Sequence, residues 1–295
     1  MLSSIKGSCG VMVECMDTYR TSRAALSELI AVVDQSLRDG SWSSANFSRA
    51  DRALMPELVQ MANEKKPGLN LMCLMPLEGL VDLIKSARDS GMNAYRVLIN
   101  MGADNAHYAV LDCRVLEGRT SVFLLEPADF DCWPAVRLAN EVHDILEKEK
   151  ADVHLLKMEV DLQRSPSGCG MFCLALAKKL HQQTEHLTLI HQGFLGEDYG
   201  FGARFPRAES DVFLPDILFK HMQGRARQGE YFKMNPGAED IVVNKKDQPL
   251  LERLNSSMEA VGGRVMSKSI CNKRMYELNA LMDKVVQAED RKNSM

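Results

Sequence analysis

The spacing of hydrophobic residues along the chain predicts a succession of helices and strands. In the helical segments apolar residues recur every three or four positions, whereas the strands are short runs rich in β-branched and aromatic residues. The predicted helices are 17–38, 51–65, 77–88, 135–150 and 272–288. The predicted strands are 70–75, 95–99, 107–116, 120–126 and 153–160. This order of elements predicts an α+β fold in which helices pack against a mixed sheet.

Two of these strands form a predicted hairpin that carries a histidine and a glutamate at its open end. The strands are separated by Glu117-Gly118, a sequence typical of a tight turn. A turn centred there pairs positions whose numbers add to 235, so Glu126 faces Ala109 and lies diagonal to His107. A carboxylate buried on this mostly apolar face needs a partner, and it would orient the imidazole to accept a proton. Without a nearby nucleophile, His107 and Glu126 would be interpreted as a structural polar pair at the sheet edge.

Cys169 lies where a turn-forming segment changes into an apolar helix. Ser-Pro-Ser-Gly precedes the cysteine, and the residues after it are rich in Ala and Leu. The positive end of a helix dipole favours the thiolate, which is the nucleophilic form of cysteine. Cys169, His107 and Glu126 therefore form a candidate catalytic triad, while Cys173, one helical turn further on, is predicted to be a core residue.

The order His, Glu, Cys, with Gln163 six residues before the cysteine, resembles the clan of ubiquitin-like-protein proteases and adenoviral proteases. The chain is more similar still to the YopJ family of type III secreted acetyltransferases. The motifs that carry this resemblance run in family order from about residue 40 to the C-terminus. They are 107–112, 118–128, 161–170, 174–180, 219–224 and 243–246. Pro166 and Gly168 depart from the family pattern and leave the triad intact.

The resemblance implies a fold and a set of ligands. The catalytic core would be like that of a ubiquitin-like protease, and Gln163 would help to form the oxyanion hole. Acetyl-coenzyme A would be the acetyl donor, inositol hexakisphosphate would be the activator, and no metal is implied. The implied coenzyme-binding residues are Arg164, Ser165, Gln223, Gly224 and Arg225. The implied inositol-phosphate-binding residues are Lys179, Lys220, His221, Lys245 and Lys246.

The resemblance also implies a biological role. The acceptors would be Ser, Thr or Lys side chains of host kinases of the MAP-kinase-kinase class, so that acetylation blocks their phosphorylation and host immune signalling. A bacterial type III system would deliver the protein into the host cytoplasm. Two alternatives remain open at this point. A cysteine protease acting on ubiquitin or ubiquitin-like conjugates would use the same triad, and a non-catalytic kinase-binding protein would need no Cys169.

Composition and charge exclude several other classes of protein. The 295 residues carry a net charge of −4, which predicts no general affinity for nucleic acid. Residues 201–295 nevertheless contain 16 Lys and Arg against 13 Asp and Glu, so this part of the chain is suited to an anion site. Eight scattered cysteines without a Cys-x-x-Cys pair predict a reducing compartment and no zinc site. No apolar run approaches the roughly 18 residues of a membrane span.

We divide the chain into three parts. Residues 1–66 are a predicted N-terminal helical segment, 67–195 the catalytic core and 196–295 a C-terminal regulatory segment. The stretch 193–206 is rich in Gly and aromatic residues and is predicted to be a connector. We expect the two terminal segments to form a helical regulatory lobe beside the core, with the polyanion holding the lobe in place.

Overall fold

The computed structural model describes residues 22–101, 107–149, 152–197 and 199–293. Its centre is a mixed six-stranded sheet in which the strands lie side by side in chain order. The strands are β1 (Leu71–Leu74), β2 (Ala94–Asn100), β3 (Tyr108–Leu116), β4 (Arg119–Glu126), β5 (Val153–Glu159) and β6 (Ala203–Phe205). The pairs β2/β3 and β3/β4 are antiparallel, and the other neighbouring pairs are parallel. A separate hairpin consists of β7 (Met258–Val261) and β8 (Arg264–Ser267).

Helices cover both faces of the sheet. In the part of the chain that the structure describes, the α-helices are α1 (Arg23–Asp39), α2 (Ser48–Lys65), α3 (Leu80–Asp89), α4 (Trp133–Lys148), α5 (Cys169–Gln182), α6 (Thr184–Gly196), α7 (Arg207–Phe213), α8 (Arg225–Met234), α9 (Leu250–Asn255) and α10 (Ser269–Asn293). Short 3-10 turns occupy Ser41–Ser43, Leu77–Gly79, Asp216–Phe219 and Ala238–Asp240. No helix among these residues combines the length and the apolar character needed to cross a bilayer.

The sheet separates two hydrophobic clusters. Alternate side chains of β4 point to opposite faces, so Phe123 packs with α2 and α5 while Leu124 packs with α3 and α4. Because both faces are buried, the strands are apolar on both sides. On the first face α10 packs against α1, and both lie over the layer that contains α5. The first and last described helices of the chain therefore meet beside the helix that begins at Cys169.

The structure confirms the predicted α+β fold and the predicted hairpin register. Val110 lies opposite Leu125 and Cys113 opposite Val122, so the paired numbers add to 235. The predicted connector at 193–206 is wrong, because α6 continues to Gly196 and 203–205 forms β6 beside β5. Phe205 belongs to a cluster of aromatic rings around Phe194, and this packing holds a strand too short to give a sequence pattern. Residues 17–21 of the first predicted helix lie outside the described residues.

A buried arginine of α10 joins the C-terminal segment to the core. The guanidinium of Arg274 donates to both carboxylate oxygens of Asp51 on α2, over 2.9 and 2.7 Å. It also donates to the backbone carbonyl of Ser167, two residues before the nucleophile, over 2.8 Å. Arg274 and Asp51 are each about 4% exposed, so neither charge has water as an alternative partner. Three segments that are far apart in sequence are thereby fixed at one point.

We expect Arg274→Met to lower the free energy of unfolding by about 3–5 kcal/mol, because Asp51 would be left as an uncompensated buried carboxylate. Burial already raises the pKa of the Asp51 carboxyl, and Arg274 opposes that shift. Urea denaturation measures the change. Arg38→Met is the matched control, since Arg38 pairs with Asp34 on the exposed face of α1. This variant should lose less than about 1 kcal/mol in free energy of unfolding. Equal losses in the two variants would contradict the expected role of Arg274.

Candidate active site

The three predicted triad residues meet at one edge of the sheet. His107 immediately precedes β3, Glu126 ends β4, and Cys169 is the first residue of α5. The Nε2 atom of His107 lies 2.9 Å from both carboxylate oxygens of Glu126. Because Nε2 is engaged by Glu126, the ring uses Nδ1 for its hydrogen bond with Cys169. Glu126 is fully buried, and Cys169 is only 4% exposed.

The electrostatics of the site favour a protonated imidazole. Burial lowers the pKa of His107, but Glu126 and the hydrogen bonds to Cys169 and Glu126 outweigh it and raise the pKa to about 11. Burial raises the pKa of the Glu126 carboxyl, and His107 opposes this shift. The backbone N–H of Ala128 donates to Oε1 of Glu126 over 2.9 Å and further stabilises the carboxylate. The proton of the pair therefore resides on His107, between a carboxylate and the sulfur.

The loop before Cys169 is held against the end of β4. The N–H of Val160 donates to the carbonyl of Glu126, and those of Leu162 and Gln163 donate to the carbonyl of Pro127. The side-chain nitrogen of Gln163 donates to the carbonyl of Ser165 over 2.7 Å, and Gln163 lines the same cleft as Cys169. An amide nitrogen carries two hydrogens. The second can donate to the oxyanion that forms on a carbonyl oxygen when the sulfur of Cys169 attacks the carbonyl carbon.

A cleft of about 650 Å³ opens over Cys169. Its walls come from residues 46–49 at the start of α2, from 128–134 and from 163–169. Of the five predicted coenzyme-binding residues, Arg164 and Ser165 line this cleft, as does Arg49. The cleft is therefore large enough for an extended substrate and places cationic side chains beside the nucleophile.

The other three predicted coenzyme residues do not line the cleft. Gln223 is fully buried, and its Oε1 accepts hydrogen bonds from the backbone N–H groups of Arg164 and Ser165. Gly224 packs behind Arg164, where an added Cβ would lie 3.2 Å from Nε of the arginine. Arg225 is exposed and its guanidinium lies 3.4 Å from Oδ1 of Asn255. Gln223 thus contacts the loop of the cleft from behind, and a coenzyme role for Gln223, Gly224 and Arg225 stays a prediction.

The predicted inositol-phosphate residues line a second site, which we call the basic pocket. It consists of two adjoining cavities of about 450 and 170 Å³ that share Lys220, His221 and Lys273. All five predicted residues line these cavities, and no acidic residue of the described chain lines either one. Sequence reasoning missed Lys66, Arg253 and Lys273, which come from the end of α2, from α9 and from α10. No local pattern connects these cations, because only the tertiary fold brings them together.

Crowding makes the basic pocket costly to protonate when it is empty. Burial, together with the neighbouring Lys179, lowers the pKa of Lys220 to about 6. Burial and Lys220 hold the pKa of His221 well below its usual range, and His221 Nδ1 lies 2.6 Å from Oγ of Ser269. Bound negative charge would remove this repulsion, so the pocket is suited to a polyanion.

Six cysteines lie in the part of the chain that the structure describes. All six are free thiols. Cys173 is completely buried among apolar side chains, which confirms its predicted place in the core.

Residues 26–280 match the family described as YopJ Serine/Threonine acetyltransferase. The chain belongs to this family. It is 36% identical over 264 residues to the serine/threonine-protein acetyltransferase YopJ of Yersinia pestis, covering 88% of this chain and 91% of that protein. It is 23% identical over 163 residues to the serine/threonine-protein acetyltransferase HopZ1a of Pseudomonas syringae pv. syringae, covering 52% of this chain and 43% of that one. The predicted family and the predicted class of enzyme, an acyltransferase acting on protein, are confirmed.

Solved structures support the same assignment. A deletion variant of AvrA, solved with IP6 and CoA, superposes with a TM-score of 0.83 at 36% identity and covers 89% of this chain and 99% of its own. HopZ1a in complex with IP6 and CoA superposes with a TM-score of 0.72 at 18% identity, which shows a shared fold. This chain therefore has the same α+β fold as these two proteins along most of its length.

Proposed function

We propose that this chain transfers an acetyl group from acetyl-coenzyme A, through a thioester on Cys169, to hydroxyl groups of other proteins. The observation that carries the proposal is the contact of His107 with both Glu126 and Cys169 in a chain of this acetyltransferase family. The cleft over Cys169 offers Arg164, Ser165 and Arg49 to the coenzyme. The presence of CoA in the AvrA structure supports this donor.

In the first half of the reaction, the Cys169 thiolate attacks the acetyl carbonyl. A carbon–sulfur bond forms, and the carbonyl oxygen becomes an oxyanion that Gln163 and backbone N–H groups at the start of α5 stabilise. The bond to the coenzyme then breaks, and coenzyme A leaves as a thiol with the proton of His107. Acetyl-Cys169 and a neutral imidazole remain.

In the second half, the acceptor side chain replaces Cys169 on the acetyl group. The hydroxyl of a serine or threonine gives its proton to His107 as its oxygen attacks the thioester carbonyl. The Cys169 thiolate leaves, and the imidazolium paired with Glu126 is restored. A lysine amine would react in the same way, with acetylation on nitrogen instead of oxygen.

The basic pocket would bind inositol hexakisphosphate as the activator. Its cationic lining supports this proposal, as does IP6 in the AvrA structure. The pocket draws residues from α2, α5, α9 and α10, so a polyanion would join the terminal segments 1–66 and 196–295 to the core 67–195. We infer that these segments act as the regulatory lobe and that their ordering completes the coenzyme site.

The acceptors would be host kinases of the MAP-kinase-kinase class, with delivery into the host cytoplasm by a bacterial type III system. Acetylation of an activation-loop hydroxyl blocks the oxygen to which phosphate would be attached, and it would silence the signalling cascade that depends on that phosphate. Membership of the YopJ family supports this part of the proposal.

One assay separates the acetyltransferase from a protease. The protein is incubated with labelled acetyl-coenzyme A and a candidate kinase, with and without inositol hexakisphosphate, and label on protein is measured. In parallel, ubiquitin and SUMO fusions are supplied as substrates for cleavage. Efficient cleavage with no acetyl incorporation at any inositol hexakisphosphate concentration would overturn the proposal in favour of proteolysis.

Binding of inositol hexakisphosphate near neutral pH is expected to take up protons. Lys220 has a pKa of about 6 in the free protein and is mostly neutral at pH 7.5, whereas a bound polyanion would raise that pKa and charge the amine. The contribution of Lys220 to affinity should therefore decrease as pH rises from about 6 to 8. Calorimetric titration in buffers with different ionisation enthalpies measures the proton uptake.

Lys220→Arg is the control for this prediction, because the guanidinium stays charged at every pH of the experiment. The inositol phosphate has its own titrating groups, which contribute equally to both proteins. The difference in proton uptake between wild type and Lys220→Arg therefore reports the titration of Lys220 together with that of His221, whose pKa Lys220 lowers. Identical uptake by the two proteins would contradict a neutral Lys220 in the free enzyme.

A further inference from the structure

The segment 219–224 lies between the basic pocket and the loop that precedes Cys169. Lys220 and His221 line the pocket at one end of the segment, and Gln223 contacts the loop at the other. We propose that Gln223 is a positioning residue, which links occupancy of the basic pocket to the placement of Gln163 in the oxyanion hole. This inference rests on the proposed function and specifies how the activator would reach the reaction.

Gln223 makes three hydrogen bonds with the loop before Cys169. Its Oε1 accepts hydrogen bonds from the N–H groups of Arg164 and Ser165, over 2.7 and 2.9 Å. Its own N–H donates to the carbonyl of Leu162 over 2.9 Å. One fully buried residue thus holds the backbone on both sides of Gln163. Loss of the Oε1 acceptor would leave two N–H groups without a partner, a cost that the loop can relieve only by moving.

The placement of Gln163 depends directly on this backbone. The Gln163 side chain donates to the carbonyl of Ser165, whose N–H is one of the two that Gln223 holds. A shift of Ser165 would therefore turn the amide of Gln163 away from the oxyanion position. An oxyanion donor has to lie within hydrogen-bond reach of the developing charge, so a small rotation is enough to remove its effect.

A second route of contacts joins Gln223 to the pocket. The N–H of Ser267 donates to the carbonyl of Gln223 over 3.0 Å, and Nε2 of Gln223 lies 3.4 Å from the carbonyl of Ser267. Ser269, two residues later, contacts Nδ1 of His221 and accepts from Arg253, both of which line the pocket. A polyanion that fixes Lys220, His221 and Arg253 would therefore fix Gln223 in two ways. One is the backbone of residues 220–223, and the other is the pair of hydrogen bonds between Gln223 and Ser267.

The triad does not depend on these contacts. Glu126, together with the hydrogen bonds between His107 and its two partners, sets the protonation of the imidazole, and none of these groups touches Gln223. Alkylation of a thiolate by iodoacetamide forms no oxyanion, whereas acetyl transfer does. Loss of the Gln223 acceptor is therefore expected to slow acetyl transfer and to leave alkylation of Cys169 unchanged.

The experiment compares three variants of the full chain. Gln223→Met removes the acceptor at nearly constant volume, and Gln223→Glu keeps an oxygen that can accept both N–H groups. Gln228→Met makes the same change at another buried glutamine of this region, whose amide donates to the carbonyl of Met222. The kcat for acetyl transfer, the Kd for inositol hexakisphosphate and the rate of Cys169 alkylation are measured for each protein.

We expect Gln223→Met to lower kcat by about a hundredfold at saturating inositol hexakisphosphate, the usual cost of losing an oxyanion donor. Its Kd for the polyanion should stay within about threefold of wild type, and its alkylation rate should not change. The kcat of Gln223→Glu should be at least about tenfold higher than that of Gln223→Met. The kcat of Gln228→Met should stay near the wild-type value.

Three results would overturn the inference. They are a wild-type kcat in Gln223→Met, an equal loss of kcat in Gln228→Met, and a fall in polyanion affinity or alkylation that matches the fall in kcat. Failure of the proposed function would look different, because the wild-type protein itself would then transfer no acetyl group.

Discussion

Replacement of Cys169 by alanine is expected to reduce acetyl transfer by roughly 10⁴-fold or more, to background. The sulfur is the atom that carries the acetyl group in the proposed mechanism, and alanine offers no substitute for it. Incorporation of label from acetyl-coenzyme A into the acceptor and into the enzyme itself measures the loss. Cys173→Ala is the matched control, because this thiol is buried one helical turn away and should be dispensable. An essential Cys173 and a dispensable Cys169 would refute the site.

Removal of the other two triad residues should be as severe and should not add to the loss. His107→Ala removes the proton carrier, and Glu126→Ala removes the carboxylate that, together with Cys169, raises the pKa of His107. Residues that act as one unit show non-additive effects, so double variants with Cys169→Ala should be no worse than the single ones. A non-catalytic kinase-binding protein would instead retain its full cellular effect in all of these variants.

Introduction of a negative charge into the basic pocket is expected to weaken activation by inositol hexakisphosphate. Lys220→Glu places a carboxylate among the lysines and arginine that would hold the polyanion, and it should weaken binding by roughly a hundredfold. The triad should remain intact, because His107 and Glu126 have no contact with this site. Acetylation assays and thermal denaturation, each with and without the polyanion, measure the two effects.

The control for this substitution is Lys233→Glu. Lys233 is exposed on α8, outside the basic pocket, so the same substitution there should leave activation unaltered. Raised salt should imitate Lys220→Glu in part, because it screens the exposed cations of the pocket. An unchanged melting temperature on addition of the polyanion, with full activity in its absence, would rule out the proposed activation.

The triad was predictable from sequence because its geometry is set locally. A single tight turn fixes the register of β3 and β4, and that register alone brings His107 next to Glu126. The change from a turn-forming segment to an apolar helix is equally local, and it places Cys169 at the start of α5. Each of these signals spans fewer than about twenty residues of chain.

The supporting structure could not be predicted in the same way. The family resemblance predicts that Gln223 lies near the coenzyme, but it does not predict that this side chain contacts backbone about 60 residues away in sequence. Lys273 and Arg253 are ordinary surface residues by composition, and only the packing of α9 and α10 brings them to the pocket. β6 has three residues, too few for a period of two to be visible. Contacts between distant segments decide all of these positions.

During synthesis of the chain, the three residues of the candidate triad emerge long before Arg274, which holds the loop before Cys169. Ser167 and Arg274 are 107 residues apart, so a ribosome that adds about 5–20 residues per second needs roughly 5–20 s to pass from one to the other. During that interval the nascent polypeptide contains Cys169, His107 and Glu126 but lacks the guanidinium that holds Ser167. Products of premature termination are in the same position. The contact that secures the loop before Cys169 is therefore available only after α10 has been synthesised.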